Sequence, residues 1–229
     1  MPETSFYCRY KPFESLAYLC LVHYLFDAFE EAESAYRRLN EFVPTDKPEA
    51  MLQLTGELVD LGEEKPPAHW FAWASNHTAA AMAEQGLVFQ AIQRWKTARK
   101  WKRTLQASPT GLDKDDERLF AAGLALCWGA ILLSAGRKPF PVKPFDRRPR
   151  CLRRAIKLFT RTIEFAIDSA IRAEALYRTA DACAELVQRE AGIAATWRAR
   201  GLDALRRAEA ADRRDQFAAR IQQLRQTLG

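Results

Sequence analysis

With 229 residues, 48% of them hydrophobic and 28% charged, the chain can bury a core without metal or disulfide support. Its formal charge of +6 admits an anionic partner without demanding one. No continuous apolar run reaches the ~18–20 residues needed to cross a bilayer. The closest, Leu119–Ala135, is interrupted by Gly123, Gly129 and Ser134 and reads as a buried helix. The opening Met-Pro-Glu-Thr lacks the basic region of a secretory leader, and the five cysteines (8, 20, 127, 151 and 183) show no paired spacing. A reducing, cytoplasmic compartment is therefore expected.

Ala, Leu, Arg, Glu and Gln fill the segments between prolines, and no run alternates apolar β-branched with polar residues, so the class is all-α. The first two expected helices span about 12–27, with Pro12 accommodated in the first turn, and about 29–42, ending before Pro44. A shorter helix covers about 48–61, and the turn Gly62–Pro67 follows it. Helices at about 69–84 and 87–106 lead to a loop at Ser108–Gly111. The helix at about 113–135 opens on Asp113, Asp115, Asp116 and Glu117, which suit the positive end of the helix dipole. Residues 137–149 hold four prolines and are expected to form a non-helical insertion. Helices resume at about 150–167 and 169–189, break at Gly192, and continue over about 193–211 and 213–227. In the last of these, Phe217, Ile221, Leu224 and Leu228 repeat as on one helix face.

Short turns between consecutive helices invite a search for repeats. Ala17-Tyr-Leu-Cys-Leu-Val-His-Tyr24, followed by Phe29, Ala32, Tyr36, Leu39 and Pro44, resembles one tetratricopeptide repeat. The shared points are a Leu–small pair (Leu19, Cys20), an aromatic at the turn, a small residue, an aromatic four later and a closing proline. A small side chain lets the partner helix approach to roughly 8–10 Å, and the ring fills the gap beside it. Ala79, Gly86, Ala91, Trp95 and Ala98 follow the same order. Trp128-Gly129, Leu132 and Gly136, with Ala155, Phe159 and Thr162, supply a third version. Ala32, Ala91 and Ala155 stand about sixty residues apart, where the family repeats at about 34. The resemblance implies one domain over 1–229, a short, irregular right-handed solenoid of antiparallel helix pairs. Its repeat-like pairs would lie at 13–44, 69–106 and 113–167, the third interrupted by the insertion 137–149, with C-terminal helices at 169–229. Close packing of Ala against rings in some other bundle is the competing reading.

Catalytic patterns are missing from the sequence. His23 sits among apolar neighbours, while His69 and His77 lie two turns apart without a metal-ligand partner between them. A His-x-x-x-His pair, a CxxC pair, a glycine-rich phosphate loop and a nucleophile elbow are all absent. No enzymatic activity, metal or cofactor is expected.

Two positive runs stand out. Arg94-Trp95-Lys96-Thr-Ala-Arg99-Lys100-Trp101-Lys102-Arg103 sets six cations and two tryptophans in ten residues without an acid. Lys96, Arg99 and Arg103 share a helix face with Lys100 beside them. Trp95 and Ala98 are expected to turn inward, and Trp101 outward, where it could stack on a base. Arg147, Arg148, Arg150, Arg153, Arg154, Lys157 and Arg161 form the second run. Such runs suit phosphate backbones, although a cationic helix face also serves simply as a solvated surface.

The tetratricopeptide resemblance further implies a groove lined by the first helix of each pair, which holds a peptide or helix of another protein. Its candidates are Leu21, Tyr24 and Leu25, then Trp73, Asn76 and Ala80, then Leu126, Ala130 and Leu133. These are more apolar than the family's carboxylate clamps and favour an amphipathic helix or a self-contact. The expected function is thus a protein-interaction scaffold. The alternative is a nucleic-acid-binding accessory subunit using basic helices 94–103 and 147–161.

Overall fold

The computed structural model describes residues 12–25, 28–41, 67–107, 112–138, 148–167, 169–212, 215 and 217–229. Their regular structure is entirely helical, without strands. In chain order the helices are α1 (Pro12–Leu25), α2 (Phe29–Glu41), α3 (Pro67–Glu84), α4 (Val88–Gln106), α5 (Lys114–Arg137), α6 (Arg148–Phe165), α7 (Ser169–Arg189), α8 (Ala194–Ala211) and α9 (Ala218–Leu228). A 3-10 turn, Ala191–Ile193, separates α7 from α8 where Gly192 predicts a break. The helix expected at 48–61 and insertion residues 139–147 lie outside the described residues.

Local chemistry accounts for the helix ends. Asp113 caps α5 by accepting the Asp116 backbone N–H at 2.7 Å, and Asp115, Asp116 and Glu117 occupy its first turn. Helix α6 begins at Arg148, earlier than expected, because Pro149 is tolerated in a first turn whose N–H groups have no intrahelical acceptor. Helix α9 begins at Ala218, later than expected. There Asp212 accepts the Phe217 backbone N–H at 2.7 Å, and Asp215 adopts φ 51°, a left-handed conformation outside the helical range.

The chain divides into an N-terminal unit, Met1–Met82 with Phe89–Leu112, and a C-terminal unit, Ala83–Val88 with Asp113–Gly229. In the N-terminal unit, α1 and α2 pack on each other across a three-residue connection and so run antiparallel. Phe71, early in α3, meets Trp101, late in α4, edge to face at 6.1 Å, which makes these helices antiparallel too. Tyr36 of α2 stacks on Phe71 at 5.1 Å, and its hydroxyl lies 2.9 Å from Ser75 Oγ. Ala32, Ala72, Ala74, Ala79, Ala91 and Ala98 are all buried, so small residues line these contacts.

The C-terminal unit is organised around α7. One face of α7 (Ala175, Ala182, Cys183, Leu186) joins Leu126, Leu132 and Leu133 of α5 and Leu152, Ala155, Ile156 and Phe159 of α6. Its other face (Leu176, Ala180, Ala184) joins Ala204, Leu205 and Ala208 of α8 and Ile221 and Leu228 of α9. A helix packed on both faces needs small side chains on both, and this explains the alanine content of α7. Glycines bring neighbouring helices closest. A Cβ on Gly129 would strike the Phe159 ring, and one on Gly136 would strike Leu152. Those pairs run in opposite order along the chain, so α5 and α6 are antiparallel. Gly86, in the α3–α4 turn, adopts φ +76°, a left-handed conformation that favours glycine.

Helix α5 is long and apolar enough to meet the length and hydropathy criteria for a membrane span, with mean hydropathy 1.9. Two-thirds of that window is buried within the fold, as expected of a core helix.

Candidate interaction surface

Two large apolar residues of α1 face solvent. Tyr18 and Val22, four residues apart and hence on one helix face, are 46% and 43% exposed. The Tyr18 ring lies 5.9 Å from Trp70 and 5.5 Å from Trp73 of α3, and the two indoles are 6.4 Å apart at 78°. Trp73 also meets His77 at 4.0 Å. Rings this close touch one another, so they leave no room for a cation and form an apolar ledge rather than an aromatic cage.

Polar atoms on the same two helices lack partners. Ser15 Oγ lies one turn from Tyr18, Asn76 Oδ1 lies one turn from Trp73, and Trp70 Nε1 belongs to the ledge itself. All three are buried, and none has a hydrogen-bond partner among the described residues. Each such group costs about 1–3 kcal/mol when unsatisfied. Burial pushes the half-buried His77 imidazole down to about 4, so it is neutral near pH 7 and offers hydrogen bonding without charge.

Beneath this ledge the N-terminal unit holds an internal ion pair. Arg94 of α4 donates to Glu33 of α2 and sits 3.5 Å from the centroid of the Tyr36 ring. Burial raises the Tyr36 hydroxyl above its usual range and pushes the nearby Cys20 thiol up to about 12. That thiol is therefore protonated and unreactive at neutral pH.

Several expected site residues lie elsewhere. Trp73 belongs to the ledge. Leu21, Tyr24 and Leu25 fall within α1, but their side chains lie outside the described set. Asn76, Leu126 and Leu133 are buried and line no open groove. Asn76 is enclosed within the N-terminal unit, while the two leucines belong to the α5–α6–α7 core. Arg94 leaves the basic patch because Glu33 and Tyr36 engage it. Trp101 is buried against Phe71, whereas Trp95 is half-buried beneath Arg99 at 5.4 Å, which reverses the expected roles of the two tryptophans. Lys96, Arg99, Lys100 and Arg103 are exposed on α4.

In the second basic run, Arg150, Arg154, Lys157 and Arg161 are exposed on α6. Arg153 is tied to Glu190, which also accepts from Trp197 Nε1 at 2.9 Å. Arg148 donates to the Lys138 carbonyl at 3.1 Å, and Arg147 lies outside the described residues. The two exposed basic faces belong to different units.

Tyr18, Val22 and Ser15 are hard to single out from sequence because α1 is apolar nearly all round. Periodicity cannot phase such a helix, and the inward face was assigned to Leu21, Tyr24 and Leu25 instead. The one available signal was Tyr18 and Val22 at i, i+4. Among the described residues, no cluster of three or more His, Cys, Asp or Glu could hold a metal ion. Set against known proteins, the chain matches no family model, no curated sequence and no solved structure.

Proposed function

We propose that this chain is a non-catalytic interaction module whose α1–α3 face docks an amphipathic helix of a partner protein. In this reading its helix pairs stack as an irregular right-handed solenoid of the tetratricopeptide kind, with first helices lining the docking face, and the module works in a reducing cytoplasmic compartment. The pairs α1–α2 and α3–α4, with their buried alanines, support the architecture. The buried free thiols of Cys20, Cys127, Cys151 and Cys183 support the compartment.

One observation carries the docking face: Tyr18 and Val22 stand exposed beside paired tryptophans. Covering the exposed halves of these two residues contributes roughly 2–3 kcal/mol. An amphipathic helix provides that cover, with apolar anchors one turn apart and polar groups at the edge of its stripe.

The test places a photocrosslinking residue at Val22 and compares full-length protein with a Tyr18→Ser/Val22→Ser variant in extract of the native host. Support is a partner that crosslinks through a helical segment, survives high salt, and is lost from the double variant but not from Arg99→Gln/Lys100→Gln. Equal recovery by both variants overturns the reading. So does a crosslink to nucleic acid or to a second copy of the chain.

A further inference from the structure

Helix α6 carries a stripe of charge that the fold does not use. Arg150, Arg154, Lys157 and Arg161 follow one another at four, three and four residues. They therefore share a single helix face and span about 16 Å at 1.5 Å per residue. All four are exposed, and none has a carboxylate partner among the described residues. Several other cations of the C-terminal unit are held in ion pairs. Arg137 pairs with Asp181 and Glu185, Arg153 with Glu190, Arg178 with Glu84 and Glu174, Arg189 with Glu185, Arg206 and Arg207 with Asp203, and Arg225 with Glu209. Those contacts engage seven of the unit's acids and, among the described residues, leave the α6 stripe without an ion-pair partner.

Two further facts concentrate positive potential there. The C-terminal unit contains 23 Lys and Arg against 16 Asp and Glu, the N-terminal unit 12 against 13, so the chain's positive excess belongs to the C-terminal unit. The stripe also starts in the first turn of α6, which holds no acid, whereas α5 places three acids there. A cation at that end opposes the helix dipole, so an anion docked beside Arg150 meets side-chain charge and dipole together. Long basic side chains sometimes lie over apolar surface and need no ligand. Here the opposite face of α6 (Leu152, Ala155, Ile156, Phe159) is already covered by α5 and α7, and among the described residues only Arg161 of the four lies over a ring, Phe165.

We infer that the α6 stripe binds the phosphate backbone of a nucleic acid, without reading its sequence. Arg154 and Arg161 can each grip a phosphate through two N–H groups, and Arg150 and Lys157 add charge between and beside them. Recognition is by charge and spacing, because base reading would need side chains aimed at base edges. This inference is independent of the α1–α3 ledge, which lies in the other unit.

The test is fluorescence anisotropy of the full-length chain with a mixed-sequence single-stranded RNA and a DNA duplex, titrated over a range of salt. A variant neutralised at the stripe (Arg150→Gln, Arg154→Gln, Lys157→Gln, Arg161→Gln) is compared with one neutralised at four paired arginines (Arg189→Gln, Arg206→Gln, Arg207→Gln, Arg225→Gln), both with wild-type circular dichroism. Neutralising four phosphate contacts lowers the salt slope on a single strand by about 3, so between 50 and 200 mM salt the parent should lose about 50-fold more affinity than the stripe variant. The paired-arginine variant should follow the parent. Similar loss in both variants overturns the inference, as does absence of binding at 50 mM salt. Stripe-dependent binding confined to phosphatidylserine vesicles or to an acidic peptide also overturns it.

Discussion

Replacing Gly129 by alanine tests the closest helix contact in the C-terminal unit. The new methyl group would lie 2.8 Å from Cδ1 and 2.9 Å from Cζ of Phe159 and nearer still to Cε1. Phe159 is fully buried among α5, α6 and α7 and cannot swing into solvent. Forcing a methylene into such a site costs about 1–3 kcal/mol, while Ala favours a helix over Gly by about 1 kcal/mol. The net expectation is a loss of about 0–2 kcal/mol, read by urea denaturation followed by far-UV circular dichroism. Phe159→Leu alone also destabilises by leaving a cavity. In combination the smaller Leu vacates the space the methyl needs, so the double variant should exceed the additive expectation by about 1 kcal/mol or more. Strict additivity in the cycle would refute the claim that α5 and α6 meet through this glycine.

Two further outcomes follow from buried polar groups. Arg178→Met removes a buried guanidinium that bridges Glu84 and Glu174, carboxylates whose side chains are 30% and 26% exposed and can regain water. The expected loss is about 1–3 kcal/mol, below the 3–5 seen when a fully buried partner is stranded. Arg178→Lys should recover only part of it, because an ammonium cannot reproduce the fork, and wild-type stability for the methionine variant would show that the bridge contributes nothing. His77, with its pKa lowered to about 4, stays neutral in the folded chain where the unfolded chain, titrating near 6.5, takes up a proton. Its contribution is thus complete above about pH 6.5 and is lost as pH falls toward 4, with a ceiling of about 3 kcal/mol. His77→Phe should flatten stability across that window, and an unchanged pH slope would place the imidazole in water.

Helix positions were legible from local chemistry. Capping acids at Asp113 and the break at Gly192 left marks in the sequence that the structure follows to within a few residues. Ala32, Ala91 and Ala155, expected at helix contacts, are all buried. The rings beside them divide differently. Tyr36 and Phe159 are buried, but Trp95 is half-buried and Trp101, six residues on, fills the interior against Phe71. Helical spacing alone could not choose between two indoles in one basic run, since either face offered aliphatic neighbours. Exposure of an apolar helix such as α1 was likewise illegible, because it depends on which neighbours arrive and not on the helix's own periodicity. Ion pairing was the third hidden feature. Arg94 and Arg154 look alike in sequence, yet one is bound to Glu33, 61 residues away, and the other is exposed without a carboxylate partner among the described residues.

That contrast separates the two proposed surfaces by their physics. The α1–α3 ledge is apolar, and its unit is almost neutral, so a partner held there gains from burial of area and is insensitive to ionic strength. The α6 stripe has no exposed apolar ledge comparable to Tyr18 and Val22 along its face, and a polyanion held there gains from counterion release, which salt abolishes. Raising salt should therefore strip nucleic acid from the chain while leaving a helical partner bound. A single complex lost as a whole at high salt would mean that one electrostatic surface, and not two independent ones, accounts for its contacts.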